Sequence, residues 1–200
     1  MDFDSLLNAL NSGRWVSAAA KDCPEVADAL LRCADVCHEF NMLPPSWLEK
    51  RNELLKSLLG KTGNGLTIHS PFRCDFGFNI RIGDNFVGNF NLSILDEAEV
   101  TIGDNVMIGP NCSLITITHA LTAAQRNAGV RAPRPITIGN NVWIAANVVV
   151  LPGVEIGEGA VIGAGSVVTK SIPANMLAAG NPCRPLRPVT DEDRVEVFTL

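Results

Sequence analysis

Residues 138–173 read IGNNVW-IAANVV-VLPGVE-IGEGAV-IGAGSV-VTKSIP, six consecutive units of six residues without a slip. An aliphatic residue opens each unit, a small residue usually follows, and a small or aliphatic residue fills the fifth place. A period of six is neither the 2.0 of a plain strand nor the 3.6 of a helix. It fits a short strand plus a tight turn, the signature of a parallel β-helix. Three such units close one triangular coil of about eighteen residues, whose strands stack at about 4.8 Å between turns. Working outward, the units IGDNVM from 102, IGPNCS from 108 and LITITH from 114 belong to the same pattern. Ile82, Gly88 and Ile94 hold it further upstream, before a two-residue slip at Asp96–Glu99. Between 119 and 136 the pattern lapses, and Gly129, Pro133 and Pro135 mark an excursion out of the coil. Long loops inside a compact repeat usually carry function.

The whole chain has 200 residues, enough for one domain with a sizeable core. It is 46% hydrophobic and only 18% charged, with 17 glycines and no tyrosine. That bias suits repeated tight turns around a narrow aliphatic interior. A net charge of −5 argues against nucleic acid or an anionic membrane as a partner. No apolar run is long enough for a membrane span. The N-terminus lacks a basic segment leading into an apolar run, so the expectation is a cytoplasmic protein with reduced thiols. The six cysteines include no CxxC pair. Cys33 and Cys37 stand one helical turn apart, a spacing found on buried helix faces at least as often as in metal sites. No metal centre is expected from these features.

Residues 1–62 read as a helical cap, 63–188 as the β-helix with its loop at 119–136, and 189–200 as a tail with a short helix after Thr190. Val26, Leu30, Leu31, Ala34, Cys37 and Phe40 recur at helical spacing until Pro44-Pro45 stops them. Ser46 suits the N-cap of a second helix carrying Trp47, Leu48, Leu54, Leu55, Leu58 and Leu59. Such a cap answers a physical need, because the open end of a coil presents unpaired backbone groups.

Inward-pointing aliphatics leave the coil solid, so chemistry belongs on the outside, at an edge, a loop or a subunit boundary. Of three histidines, His38 falls in the first helix and reads as partly buried, and His69 has no constellation around it. His119 ends ITITH where the repeat breaks. Its place beside the one long loop favours catalysis. Asn105, Asn141 and Asn147 sit inside regular units, where Asn tolerates the left-handed corner conformation. That structural reading is weaker for Asn89 and Asn91.

The chain resembles the hexapeptide sugar O-acetyltransferases, the maltose and galactoside acetyltransferases. The resemblance runs from about 27 to 187 and is carried by PFRCDFGFNIRIGDN (71–85), NFNLSILD (89–96), VTIGDNVMIGPN (100–111), THALTAAQRNAG (118–129), PITIGNNVWI (135–144), VIGAGSVVTKSIPAN (161–175) and AAGNPCRPLR (178–187). It implies a mainly β protein, a left-handed parallel β-helix, with a helical cap and an extruded loop. It further implies a homotrimer with active sites between subunits, acetyl-CoA as donor and a sugar or glycoside as acceptor. His119 matches the family's general base, and Asn89 the side chain that holds the acceptor hydroxyl beside it. The Ala146 N–H matches the oxyanion donor. Gly109, Trp143, Ala164 and the turn before Thr169 and Lys170 match the lining of the pantetheine arm. Lys170, Arg184 and Arg187 are placed to meet the nucleotide phosphates.

The chain departs from the family around the acceptor. Ala18 stands near an aspartate of galactoside-type members, Glu97 aligns with an aspartate, Arg131 with a loop residue that is apolar in some relatives, and Ala120 with a proline. These departures leave the acceptor open, including a hydroxylated acceptor that is not a sugar. Three other readings make distinct demands on the residues. Metal-dependent hydration on this scaffold needs three histidines on neighbouring turns, and only His119 lies in the coil. An ice-binding face needs repeated Thr-x-Thr ladders, and only Thr116 and Thr118 form such a pair. A CoA-binding coil that has lost its chemistry is the remaining alternative.

Overall fold

Every hexad opener quoted above is buried. Ile102, Ile108, Leu114, Ile138, Ile144, Val150, Ile156, Ile162 and Val168 fill the axis of a parallel β-helix, joined by the fifth-place Val106, Cys112, Val142, Val148, Val154, Ala160 and Ser166. This is a computed structural model, and it describes residues 8–10, 12–17 and 24–198. Ala18 and Cys23 lie outside the described residues. Among the described residues, no helix is long and apolar enough to cross a membrane.

A short strand β1 (Val16–Ser17) precedes the helices α1 (Pro24–Met42) and α2 (Leu48–Leu58). The coil then rises in rungs of three strands, starting with β2 (Lys61–Thr62), β3 (Thr67–Ile68) and β4 (Phe72–Cys74). The second rung is β5 (Ile80–Ile82), β6 (Val87–Gly88) and β7 (Leu92–Leu95), and the third is β8 (Val100–Ile102), β9 (Met107–Ile108) and β10 (Ser113–Ile115). There the chain leaves through β11 (Ile117–His119), α3 (Ala123–Asn127) and β12 (Val130–Pro133). It returns as β13 (Ile136–Ile138), β14 (Trp143–Ile144) and β15 (Val149–Val150), then β16 (Glu155–Ile156), β17 (Val161–Ile162) and β18 (Val167–Val168). A hairpin of β19 (Met176–Gly180) and β20 (Cys183–Pro188) closes the far end, followed by a 3-10 turn at Asp191–Asp193 that Thr190 caps.

The strands stack into three parallel faces. The first face is β2-β5-β8-β13-β16, the third is β4-β7-β10-β15-β18, and the second is β3-β6-β9-β14-β17 extended by the hairpin. Two corners are held by amide ladders. Asn85 donates to Asn105, Asn105 to Asn141 and Asn141 to Glu158 between the first and second faces. Asn91 donates to Asn111 and Asn111 to Asn147 between the second and third. These asparagines adopt φ between 55° and 60°, the left-handed conformation their short side chains tolerate. Asn91 is therefore a ladder residue, whereas Asn89 has no such φ.

The third corner is wider in the early rungs. Ile82 pairs with Ile102 and Ile138 with Ile156, so an early rung is two residues longer than a late one. The two-residue slip at Asp96–Glu99 is this widening, and Asp96 holds it in place. Its Oδ1 accepts from the N–H groups of Asp75 and Phe76, and Asn79 donates to the Asp96 carbonyl. Thr116 points inward at the same corner, donating to Leu95 O and accepting from Ala98 N–H, so it is not part of an outward threonine ladder.

The cap differs from expectation in detail. The buried face of α1 is Val26, Ala29, Cys33, Cys37 and Phe40, with Leu31, Ala34 and His38 exposed. The coil end offers Cys74 and Phe72 as partners, so the helix turns its smaller Ala and Cys positions inward. Phe40 meets Phe72 edge-on at 6.4 Å. Helix α2 begins after Trp47, and Ser46 does not cap it. Arg51 of α2 is buried, donating to the carbonyls of Phe40, Leu43 and Ile68 and to Ser70 Oγ while its guanidinium lies 4.1 Å over the Phe40 ring. One cation thus ties both helices to the first rung.

Candidate active site

The extruded segment is a small antiparallel sheet, ordered β1-β12-β11. In its register His119 lies opposite Arg131, and Arg131 opposite Val16. Arg126 donates to the carbonyls of Ala120 and Leu121, stapling the turn that follows His119. A cavity of about 340 Å³ beside this turn is lined by Trp15, Ala120, Leu121, Thr122, Gln125 and Val130. The exposed imidazole of His119 is therefore carried by a braced hairpin at the widened corner.

Glu97 and Arg131 meet at that corner. Arg131 Nε stands 3.2 Å from Glu97 Oε2, with each side chain only 15% exposed. The N–H is not directed at the carboxylate, and neither atom has a hydrogen-bond partner among the described residues. The contact is therefore coulombic, and both groups keep capacity for a third, hydroxyl-bearing group. Burial pushes the Glu97 carboxyl up, against the pull of Arg131 and His119. Asp75 lies in the same field. Burial, then Asp96 and Glu97, push its carboxyl up to about 7, while Arg131 opposes them. Asp96 is fully buried, and its Oδ2 has no partner among the described residues.

A second group of residues collects at the corner between the second and third faces. Asn89, Gly109, Ala145 and Gly163 form one column there, and Phe90, Pro110, Ala146 and Ala164 form the next. At the opposite corner of the second face, side-chain oxygens from the next rung cover the equivalent N–H groups: Asp84 covers Asn64, Asp104 covers Asp84, and Asn140 covers Asp104. Alanines offer no such oxygen. The N–H of Ala146 consequently has no acceptor among the described residues, although its carbonyl accepts from Gly165. A Cβ on Gly109 would lie 2.7 Å from the Ala146 nitrogen, so only glycine leaves that N–H clear from below. Asn89 accepts the Phe90 N–H at its Oδ1, and its amide donor has no partner among the described residues.

Outward from this corner the second face is apolar. Val87, Met107, Trp143, Val161 and Leu177 stack in register, with Met107 53% and Trp143 49% exposed. The first face presents Arg81, Thr101, Thr137 and Glu155 instead. Arg184 and Arg187 extend from β20. Arg184 donates to the Cys183 carbonyl, and Arg187 grips Asp193 with both terminal nitrogens. Thr169 and Lys170 are exposed beyond β18, at the far edge of the third face.

The structure thus gathers the sequence-predicted residues into two groups, not one. His119, Glu97 and Arg131 are at the widened corner, with Thr169 and Lys170 beyond the same edge of the third face. Asn89, Gly109, Ala146 and Ala164 lie at its other edge, with Trp143, Arg184 and Arg187 on the adjoining second face. Three or four extended residues cross the face between the groups, about 10–13 Å. Asp75, the orphaned Asp96 oxygen and the β1 strand were not foreseen. Only the slip at Asp96–Glu99 signalled them, because a widened corner needs a buried polar key.

Residues 20–63 match the maltose acetyltransferase hexapeptide capping motif, and 135–170 match the bacterial transferase hexapeptide of six repeats. Residues 99–118 match the hexapeptide repeat of succinyl-transferase. The galactoside O-acetyltransferase of Escherichia coli K12 is 46% identical over 176 residues, 88% of this chain and 87% of that protein. The chain belongs to the hexapeptide-repeat acetyltransferases of the maltose and galactoside type. Membership accounts for the shared architecture. A galactoside acetyltransferase solved in complex with coenzyme A superposes with a TM-score of 0.90 at 42% identity, covering 97% of this chain and 96% of that one. A maltose O-acetyltransferase from Clostridium difficile 630 gives 0.88 at 38% identity, covering 92% and 97%. A Vibrio cholerae hexapeptide-repeat acetyltransferase complexed with acetyl coenzyme A gives 0.83 at 35%, covering 93% and 99%.

Proposed function

We propose that the chain transfers an acetyl group from acetyl-CoA to a hydroxyl of a sugar or glycoside, in sites formed between neighbouring copies of a homotrimer. One observation carries most weight. A single chain holds the base-bearing group and the open amide at opposite edges of one face, so neither edge alone is a complete site. A ring of three copies about an axis along the coil, third faces inward, brings the His119 edge of one copy to the Ala146 edge of the next. The apolar row through Met107 and Trp143 then meets the neighbouring loop and the pantetheine arm instead of water.

In this site His119 takes the proton from the acceptor hydroxyl as its oxygen attacks the thioester carbonyl. The Ala146 N–H receives the oxyanion, a role that needs a fixed, uncommitted donor and no side chain. Collapse breaks the carbon–sulfur bond, and the imidazolium returns the proton to the departing thiolate. Asn89, through its amide donor, orients the hydroxyl, and the Glu97–Arg131 pair binds the remaining acceptor hydroxyls. Lys170, Arg184 and Arg187 meet the phosphates, Arg187 by sharing its Asp193 contact.

The experiment is to incubate the protein with acetyl-CoA and a panel of mono- and disaccharides, glycosides and other hydroxylated acceptors, and to weigh the products. Acetylated sugars are expected, with turnover lowered by about 10²–10⁴ in His119→Ala. Acylation of amines only, or full activity in that variant, contradicts the proposal.

A further inference from the structure

The three sulfurs that join the cap to the coil form a constellation that acetyl transfer does not use. Cys33 and Cys37 project from one face of α1 a helical turn apart, and Cys74 ends β4 in the first rung. Cys33 Sγ lies 3.4 Å and Cys37 Sγ 3.8 Å from Cys74 Sγ, and all three sulfurs fall within 4.8 Å of one another. Cys33 and Cys37 are buried, and Cys74 is partly so. Among the described residues, Cys112 and Cys183 are also buried but join no such group of thiols.

The distances have a specific chemical meaning. Three thiolates around one ion at a metal–sulfur distance of about 2.3 Å stand about 3.8 Å apart in a tetrahedral site and about 4.0 Å apart in a trigonal one. Two edges of the observed triangle are at or just inside those values and the third is no longer than 4.8 Å, so side-chain shifts of under about 1 Å bring the three sulfurs into place, and a tetrahedral ion would take its fourth ligand from solvent. Sulfur donors select thiophilic ions over Mg²⁺ or Ca²⁺. The Arg73 charge favours the thiolate of Cys37, while Asp96 acts on Cys33 in the opposite sense. Access exists as well. A groove of about 390 Å³ reaches Cys33 between α1 and the start of the coil, lined by Arg32, Val36, Ser57 and Phe76 among others.

We propose that Cys33, Cys37 and Cys74 bind one thiophilic d10 cation, Zn²⁺ or Cu⁺, which clamps the helical cap to the first rung. The site reaches the candidate active site through the chain itself. Cys74 precedes Asp75, whose N–H is held by Asp96, so fixing Cys74 fixes one wall of the widened corner. The clamp is structural and takes no part in acetyl transfer.

The test uses the full-length protein, purified with reductant, stripped by chelator and titrated with Co²⁺ and Zn²⁺. One equivalent of Co²⁺ per chain should raise a sulfur-to-cobalt charge-transfer band that Zn²⁺ abolishes. Zn²⁺, but not Mg²⁺, should protect Cys33, Cys37 and Cys74 from alkylation, as mapped by peptide mass, while leaving Cys112 and Cys183 unchanged. Cys74→Ser should weaken binding at least tenfold, and Cys112→Ser should not. Should Cys74→Ser fail to fold, the protection pattern of the unaltered chain still decides. No charge-transfer band, a band that forms in Cys74→Ser at the same Co²⁺ concentration as in the unaltered protein, or a non-reduced mass lighter by two hydrogens from a Cys33–Cys74 disulfide would each overturn the proposal. None of these readouts depends on acetyl transfer.

Discussion

Gly109 lies beneath the peptide that joins Ala145 to Ala146, so that a Cβ on residue 109 would come within 2.7 Å of the Ala146 amide nitrogen. One glycine thereby keeps clear an N–H that no other group of the described chain accepts from. Gly109→Ala should displace that N–H and lower turnover about 10–100-fold, since displacements near 1 Å cost this much in preorganised sites. Steady-state kinetics with far-UV circular dichroism checks it: the coil should stay folded while turnover falls.

The Glu97–Arg131 pair should govern the acceptor and leave the donor alone. Glu97→Gln and Arg131→Met should each raise the acceptor KM more than the acetyl-CoA KM. In a double-mutant cycle the two should couple by about 1–2 kcal/mol, as contacting charged residues do. Additive effects would mean that the side chains act separately.

Asp75 predicts a pH dependence of stability. Its folded-state value of about 7 lies above the ordinary 3.8, so the folded protein holds this proton more tightly than the unfolded chain does. Between those values the folded state binds more protons, and stability falls as pH rises toward about 7. Asp75→Asn removes the penalty. Its thermal midpoint should match that of the unaltered protein near pH 4 and exceed it at pH 8. A constant difference across that range would contradict the assignment.

Arg51 is buried on carbonyls, a hydroxyl and a ring, with no carboxylate in ion-pair contact among the described residues. Arg51→Met strands three carbonyls and should cost about 2–4 kcal/mol in denaturant unfolding. Arg51→Lys should recover only part of this, because an ammonium cannot span the same fork of acceptors.

Much of this was legible from residue types alone. The hexad openers, the excursion at 119 and the helical cap follow from periodicity, because a six-residue repeat has few ways to bury its aliphatics. Leu31 and Ala34 fit helical spacing as well as Ala29 and Cys33 do, so periodicity alone does not choose the buried stripe of the first helix. Only the partner surface, with Cys74 and Phe72, decides which stripe turns inward. Asp75 and Cys74 were equally hidden. Their importance comes from residues about twenty and forty positions away that the coil stacks against them. Gly109 was named by resemblance, but its physical reason, the nitrogen above it, exists only in the stacked rungs.

The central claim is that each site joins the His119 edge of one copy to the Asn89–Ala146 edge of another. The most direct measurement mixes two inactive variants, His119→Ala and Gly109→Trp, unfolds them together and refolds them as mixed oligomers. Sites that pair the intact edge of each variant should restore acetyl transfer in about a quarter of all sites, as random assembly of a closed ring requires. Activity that stays at the level of the separate variants, with mixed oligomers demonstrably formed, would contradict a shared site.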